Sequence, residues 1–197
     1  DVGDWLVAHG AQRQSVPAAP VPSDQASAVA AALRGIGYAG QGVLLAIPSA
    51  WCMAASFDAQ PARQDRRTAL LYQFEACLPL SAEEIVADFV PHGARCLGVG
   101  VQTRTLKPLI EAIESVGVPI QSIVPAALVA IDELHHQRAW NEPLVLLEHD
   151  GGMDLLEMDG GAVTGWSLLP RDARSIALAV SMASARLPAA ESHGVRA

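Results

Sequence analysis

The sequence predicts a mixed α/β fold, and three observations carry that prediction. An apolar run bounded by glycine and proline, "GVLLAIP" (residues 42–48), has the look of a buried strand. A segment with three- and four-residue apolar spacing, "TLKPLIEAIESVG" (105–117), reads as an amphipathic helix. The two kinds of segment alternate along the chain, which argues against a helical bundle or a β-sandwich. A chain of 197 residues suffices for one large domain or two small ones.

The elements follow in order. "DWLVAHGAQ" (4–12) alternates weakly and opens the chain as a strand. "SVPAAPVPSD" (15–24) carries three prolines and reads as a loop. Ser23 or Asp24 is placed to cap a helix over 25–37 that closes at Gly35 or Gly37. The run 42–48 is expected to be buried on both faces, with "WCMAASFD" (51–58) as its returning partner. "RRTALLYQFEACL" (66–78) puts Leu70, Leu71, Phe74, Cys77 and Leu78 on one helical stripe, so Cys77 is expected in the core. Pro79 then stops that helix.

"SAEEIVADFVPHGARCLGVGVQ" (81–102) offers two strand-like runs around "PHGA", a hairpin. Ser81 and Glu84 also match a capping box, which leaves a helix start there as the competitor. In 105–117, Leu106, Leu109, Ile110 and Ile113 form the stripe, Pro108 falls in the first turn and Gly117 ends the helix. A short strand "VPIQSIV" (118–124) follows, and Pro125 opens a helix over 126–137. The remainder reads as strands over 143–149, 153–159 and 162–169, then a helix over 172–187.

Composition excludes several classes. Hydrophobic residues make up 51% of the chain and aromatics 5%, so the core is built from many small side chains. The net charge of −8, with Lys107 as the single lysine, offers no basic face for nucleic acid or an anionic membrane. Cys52, Cys77 and Cys96 are odd in number and lack metal-ligand spacing, which points to reduced thiols. No apolar run approaches the ~20 residues of a membrane span, and no signal peptide is recognisable. The absent initiator methionine and the closing "PAAESHGVRA" suggest a fragment of a longer protein, and a membrane helix elsewhere in it stays open.

The motif that raises a chemical question is "LLEHDGGMDLLEMDGGAVTGW" (146–166). Its acid, glycines and flanking strands resemble the phosphate hairpin of the actin, sugar-kinase and heat-shock ATPase superfamily. Such hairpins aim backbone N–H groups at a phosphate, hold Mg²⁺ on a carboxylate and add a hydroxyl donor. The superfamily pattern is roughly Asp-x-Gly-x-x-x-Thr. Here Asp150 stands at the expected first glycine and Asp154 at the threonine, so two acceptor-only anions would face an anion. Like charges ~4 Å apart repel by ~1 kcal/mol in water and ~4 kcal/mol near a protein surface. The N-terminal counterpart, with Asp1 and Gly3, has Asp4 and Trp5 where small hydroxylic residues belong. The preferred reading is therefore two ordinary "DGG" turns. The residues left to hold a Mg-nucleotide, if one binds, are Gly3, Glu148, Asp150, Gly151 and Gly152.

Other candidates have plainer explanations. Asp132 and His136 are one i, i+4 pair with no further ligands at metal spacing, so no metal is expected. Ser49 in "IPSAW" lacks a nucleophile elbow. Glu83, Glu84 and Asp88 read as a solvated acidic rim. Trp51, Trp140 and Trp166 fit core packing better than exposed partner anchors.

The order of short signatures carries a more specific resemblance. "GVLLAIPSAWCMAASFD", "LLYQFEACLPLSAEEIVADFV", "VGVQTRTLKPLIEAIESVGVPIQSIVPAALVAIDEL" and the "EHDGGMDLLEMDGG" hairpin together resemble the PilM and GspL proteins. These are actin-like cytoplasmic modules of type IV pilus and type II secretion machines. The resemblance covers roughly residues 30–165. It implies ribonuclease-H-like halves with an inserted αβ subdomain. Residues 1–60 and 126–140 would form the first half, 61–125 the insertion, and 141–197 the start of a second half that is reduced or truncated. It further implies a non-catalytic scaffold at the cytoplasmic face of the bacterial inner membrane, without a cofactor. Its partners would be the assembly ATPase and the cytoplasmic tail of a membrane subunit, the tail lying near "VQTRTLKP" and "IPSAW", with a homodimer possible. The membrane would be reached only through the full-length protein or those partners. The alternative is a nucleotide-binding ATPase of the actin, FtsA or sugar-kinase kind with Mg-ATP as cofactor. A third reading is a small-molecule-binding α/β domain of unrelated topology.

Overall fold

The computed structural model describes residues 4–59, 66–137, 142–149 and 151–187. The chain opens as a hairpin, β1 (Trp5–His9) and β2 (Gln12–Val16), turned at Gly10, whose φ of 59° suits glycine. Helix α1 (Pro22–Gly35) follows. Pro22 is its first residue and Val21 its N-cap, without a side-chain cap. Ser23 and Asp24 therefore lie inside the first turn instead of capping it, because proline at N1 already supplies helical φ.

Strand β3 (Val43–Ile47) pairs in parallel with β7 (Ile120–Pro125). Between them come β4 (Cys52–Asp58), α2 (Arg66–Glu75), the hairpin β5 (Ile85–His92) and β6 (Arg95–Gln102), and α3 (Thr103–Ser115). Helix α4 (Ala126–Gln137) succeeds β7. Strands β8 (Leu144–His149), β9 (Gly152–Asp159) and β10 (Ala162–Leu169) form an antiparallel meander, and α5 (Ala173–Arg186) closes the chain. The sheets are β1–β2, β3–β7, β4–β6–β5 and β10–β9–β8. Strand β10 lies against β4 and β6, where Ser56 Oγ donates to the Thr164 carbonyl at 2.8 Å.

Several local expectations are corrected. Strand β3 is not buried on both faces, since Leu44 is 55% exposed and Ala46 is also exposed while Leu45 and Ile47 are buried. Helix α2 ends at Glu75, two residues before Cys77. The chain turns off its helical stripe there, and Cys77 is exposed while Leu70 and Phe74 stay buried. Helix α3 begins at Thr103, so Pro108 sits in its second turn and forgoes a backbone bond. At Ser81 both local signals are satisfied. The Glu84 carboxylate accepts from the Ser81 N–H at 3.3 Å, the chain makes one 3₁₀ turn over Ala82–Glu84, and β5 begins directly after it.

One apolar core joins α1, β3, α3, α4, β8, β9 and β10. A second, smaller cluster centres on Phe74, Ile85 and Ala87 under α2. Phe74 sits in a dent made by two glycines of β6. A Cβ at Gly98 or Gly100 would lie 2.6 or 2.9 Å from its ring. Among the described residues, no helix is long and apolar enough to cross a membrane.

Candidate functional site

The β8–β9 turn and the "IPSAW" turn face one another across a cleft of about 400 Å³. Glu148, His149, Gly151 and Asp154 line one side, and Ser49 and Trp51 line the other. Asp4 and Trp5 reach the same cleft from the first strand. The cleft thus draws on the C-terminal hairpin and on the first described residues of the chain. Gly3 and Asp150 lie outside the described residues, as do Asp1 and Trp140.

Several of the hairpin's polar groups bond within the protein. Gly151 donates its backbone N–H to His149 Nδ1 at 3.1 Å. An Nδ1 that accepts places the ring proton of neutral imidazole on Nε2. That nitrogen is buried without a hydrogen-bond partner among the described residues, 3.7 Å from Asp154 Oδ1. Asp154 is 1% exposed and accepts from Trp166 Nε1 at 2.9 Å. It borders the cleft with its carboxylate held by the indole. Glu148 is exposed on the turn, with Arg171 Nε 3.7 Å from its carboxylate. Arg171 also donates to the His149 carbonyl.

The glycines answer to packing. A Cβ at Gly152 would meet the Leu169 carbonyl oxygen at 2.5 Å, and one at Gly151 would lie 3.2 Å from the Ala50 Cβ. The second "DGG", Asp159–Gly161, is a turn with both glycines at positive φ, 56° and 82°. Its Asp159 Oδ2 lies 2.7 Å from His92 Nε2, joining the meander to the β5–β6 hairpin.

The sequence reading did not single out Arg171, His149 or Glu157. Arg171 is far from the hairpin in sequence. The β9–β10 register sets Leu169 beside Met153, which delivers the residues just after β10 to the β8–β9 turn. Glu157 is buried on β9 and ion-paired to Arg186 of α5 at 2.6 Å, with Gly165 leaving room for its side chain.

The cysteines differ in chemistry. Burial, with the Asp154 carboxylate nearby, pushes the Cys52 thiol up to about 12. Burial also raises Cys96. At the end of α4, His136 Nδ1 lies 2.7 Å from the Asp132 carbonyl oxygen. That bond, reinforced by the Asp132 charge, raises the imidazole pKa. The acidic residues Glu83, Glu84 and Asp88 are exposed, and Asp88 pairs with Arg67 at 2.9 Å. Trp166 is core, and Trp51 is half-buried beside the cleft. The two segments named for a partner groove line different depressions. "IPSAW" borders the cleft above, while Gln102, Arg104, Lys107 and Pro108 border another with Glu84.

No protein-family profile matches the chain, and no curated protein matches it by sequence. Solved structures do match it. One is the cytoplasmic domain of EpsL, an inner-membrane component of the type II secretion system of Vibrio cholerae. The match has a TM-score of 0.62 at 14% identity and covers 90% of this chain and 68% of that one. Another is a chain of the PilM–PilN type IV pilus biogenesis complex. That match has a TM-score of 0.70 at 16% identity and covers 93% of this chain and 62% of that one. The chain is therefore a mixed α/β domain with a GspL/PilM-like fold.

Proposed function

We propose that this domain is a non-catalytic scaffold of a type II secretion or type IV pilus assembly platform. It acts at the cytoplasmic face of the inner membrane and binds the cytoplasmic tail of a membrane subunit and the assembly ATPase. The observation that carries the reading is the fold shared along 93% of the chain with a protein of the PilM–PilN complex. On this reading, residues 61–125 form the insertion and residues 141–197 begin the second actin-like half. Tails of this kind bind as extended strands or short helices, through backbone pairing and apolar anchors.

The scaffold reading draws its non-catalytic part from the hairpin. The residues there do not fit a triphosphate. The Gly151 amide that would point at a phosphate is spent on His149, and Asp154 and Glu148 both present negative charge to the cleft. Arg171 beside Glu148 is the observation that favours the second reading, a nucleotide-binding ATPase, because it supplies a cation at the turn.

Two measurements separate these readings. Calorimetric titration with tail peptides of the platform's membrane subunits and with the assembly ATPase is expected to give at least one saturable complex. Silence toward all of them would sink the scaffold reading. Thermal unfolding in millimolar Mg-ATP is expected to leave the midpoint unchanged. A nucleotide at 100 times its Kd adds ~2.7 kcal/mol, a rise of roughly 5–10 °C for a domain of this size. Such a rise would establish the ATPase reading instead.

A further inference from the structure

The cleft between the β8–β9 turn and the "IPSAW" turn carries charge of one sign. Its ionisable lining is Asp4, Glu148, His149 and Asp154, and no lysine or arginine borders it. His149 accepts the Gly151 N–H on Nδ1, which a neutral ring can do and an imidazolium cannot. Glu148 has Arg171 3.7 Å from its carboxylate. Asp4 is exposed and accepts from Ser15 Oγ at 3.4 Å.

Asp154 is the group left without a counter-charge. It is 1% exposed, yet no lysine or arginine among the described residues pairs with it. Trp166 Nε1 lies 2.9 Å from its Oδ1, and His149 Nε2 lies 3.7 Å from the same oxygen. No hydrogen bond from a described residue reaches Oδ2. A carboxylate removed from water is ordinarily matched by a cation or by several donors, because its hydration is costly to lose. The cleft that Asp154 borders is the route by which such a cation arrives. Among the described residues no three His, Cys, Asp or Glu side chains are placed to hold a metal ion, so the charge belongs to an organic group. Trp5 and Trp51, both half-buried, also border the cleft, and indoles attract ammonium and guanidinium groups over their ring faces. Ile47, Leu109 and Leu147 give an aliphatic stem apolar contact.

We infer that this cleft binds an ammonium or guanidinium group carried on an aliphatic stem, with Asp154 as its counter-ion and Trp51 beside it. The cation belongs to an arginine or lysine side chain of a partner or to a free polyamine, which share this chemistry. The net charge of −8 favours the approach of either. Where the phosphate hairpins that this turn resembles take an anion, this one takes a cation. The assignment rests on the charges of the cleft and not on the scaffold reading. A domain that ignores every platform subunit still shows it toward a model peptide.

The test is an NMR titration of this protein at about 0.15 M salt, where exposed charges are screened beyond about 8 Å. The probes are the capped tripeptide Ala-Arg-Ala, spermidine, and capped Ala-Glu-Ala as the control of opposite charge. The indole N–H signals of Trp51 and Trp166 are expected to move together and saturate with Ala-Arg-Ala, and to stay still with Ala-Glu-Ala. Asp154→Asn keeps an acceptor for Trp166 and removes the charge, and it is expected to weaken binding about tenfold. Trp51→Leu and Asp4→Asn are expected to weaken it less, and they carry the comparison if Asp154→Asn does not fold. Glu111→Gln removes an equal charge from an exposed position outside the lining and is expected to leave the Kd as it is. Saturation by spermidine alone supports the site and identifies a free polyamine as the source of the cation. No saturation by either cation up to tens of millimolar overturns the proposal. So does an equal loss in Asp154→Asn and Glu111→Gln, which would report only the overall field of the chain, and so does tighter binding of Ala-Glu-Ala.

Discussion

The same tripeptide, Asp-Gly-Gly, occurs at both turns of the C-terminal meander, at 150–152 and 159–161, and the two copies answer to different physics. In the second, both glycines take positive φ, and a Cβ at Gly161 would also lie 3.2 Å from the His135 ring. A Cβ at Gly160 would meet nothing within 4 Å, and the turn is solvated. In the first, close approach to backbone is added, since Gly152, at φ 152°, lies against the Leu169 carbonyl and Gly151 against Ala50 across the cleft. The lesson is that glycine content at a hairpin does not by itself report a phosphate site. A turn pressed against the chain from behind needs glycine as much as a turn that admits a ligand in front.

The sharpest way to break this comparison is to add a methyl group to each turn. Gly152→Ala is expected to lose at least about 3 kcal/mol, because its Cβ collides with backbone that has no rotamer to yield. Gly160→Ala pays only for positive φ, about 1–2 kcal/mol. Urea unfolding of the two variants checks the ordering, and equal losses would undo the distinction. Next in size is Trp166→Phe, which removes the donor to buried Asp154 and is expected to cost about 1–3 kcal/mol. A neutral result would mean that the carboxylate finds another partner.

A chemical probe sharpens the contrast between packed and open regions without unfolding anything. At pH 8, iodoacetamide is expected to label exposed Cys77 and to leave Cys52 untouched, since the Cys52 thiol titrates at about 12 and is buried. Mass spectrometry of the alkylated peptides reads this directly. The smallest effect belongs to His136. Its folded pKa is raised, so its pairing with Asp132 contributes fully below the ordinary value of 6.5. That contribution fades as pH rises through the higher folded value. The group is fully exposed and the effect on stability is slight, so an NMR titration of the ring proton is the suitable measurement. A midpoint at or below 6.5 would contradict the bond to the Asp132 carbonyl.

Much of this was legible in the sequence, element by element. The period of Leu106, Leu109 and Ile113 located α3, and Pro125 marked the start of α4. The paired "DGG" turns marked the meander. Errors fell where one tertiary contact outweighs a local pattern. Cys77 lies on the α2 stripe by spacing, yet the helix stops short of it. Leu44 belongs to an apolar run, yet its side chain is 55% exposed. At the site, the acids of the hairpin were visible, but Arg171 and the ring of His149 were not read as part of it. Their place depends on strand register and side-chain direction across the turn.

By itself, then, the sequence determined the local periods, the breakers and the order of elements, and with them the α/β class. Each of these is settled within a few residues by backbone sterics and by the spacing of apolar side chains. Only the tertiary structure decided which donors and acceptors meet. It handed the Gly151 amide to His149 and buried Asp154 beneath Trp166. It brought Arg171 to Glu148. These are pairings between distant segments, and a hydrogen bond that requires approach within a few tenths of an ångström is set by the packing of the whole chain.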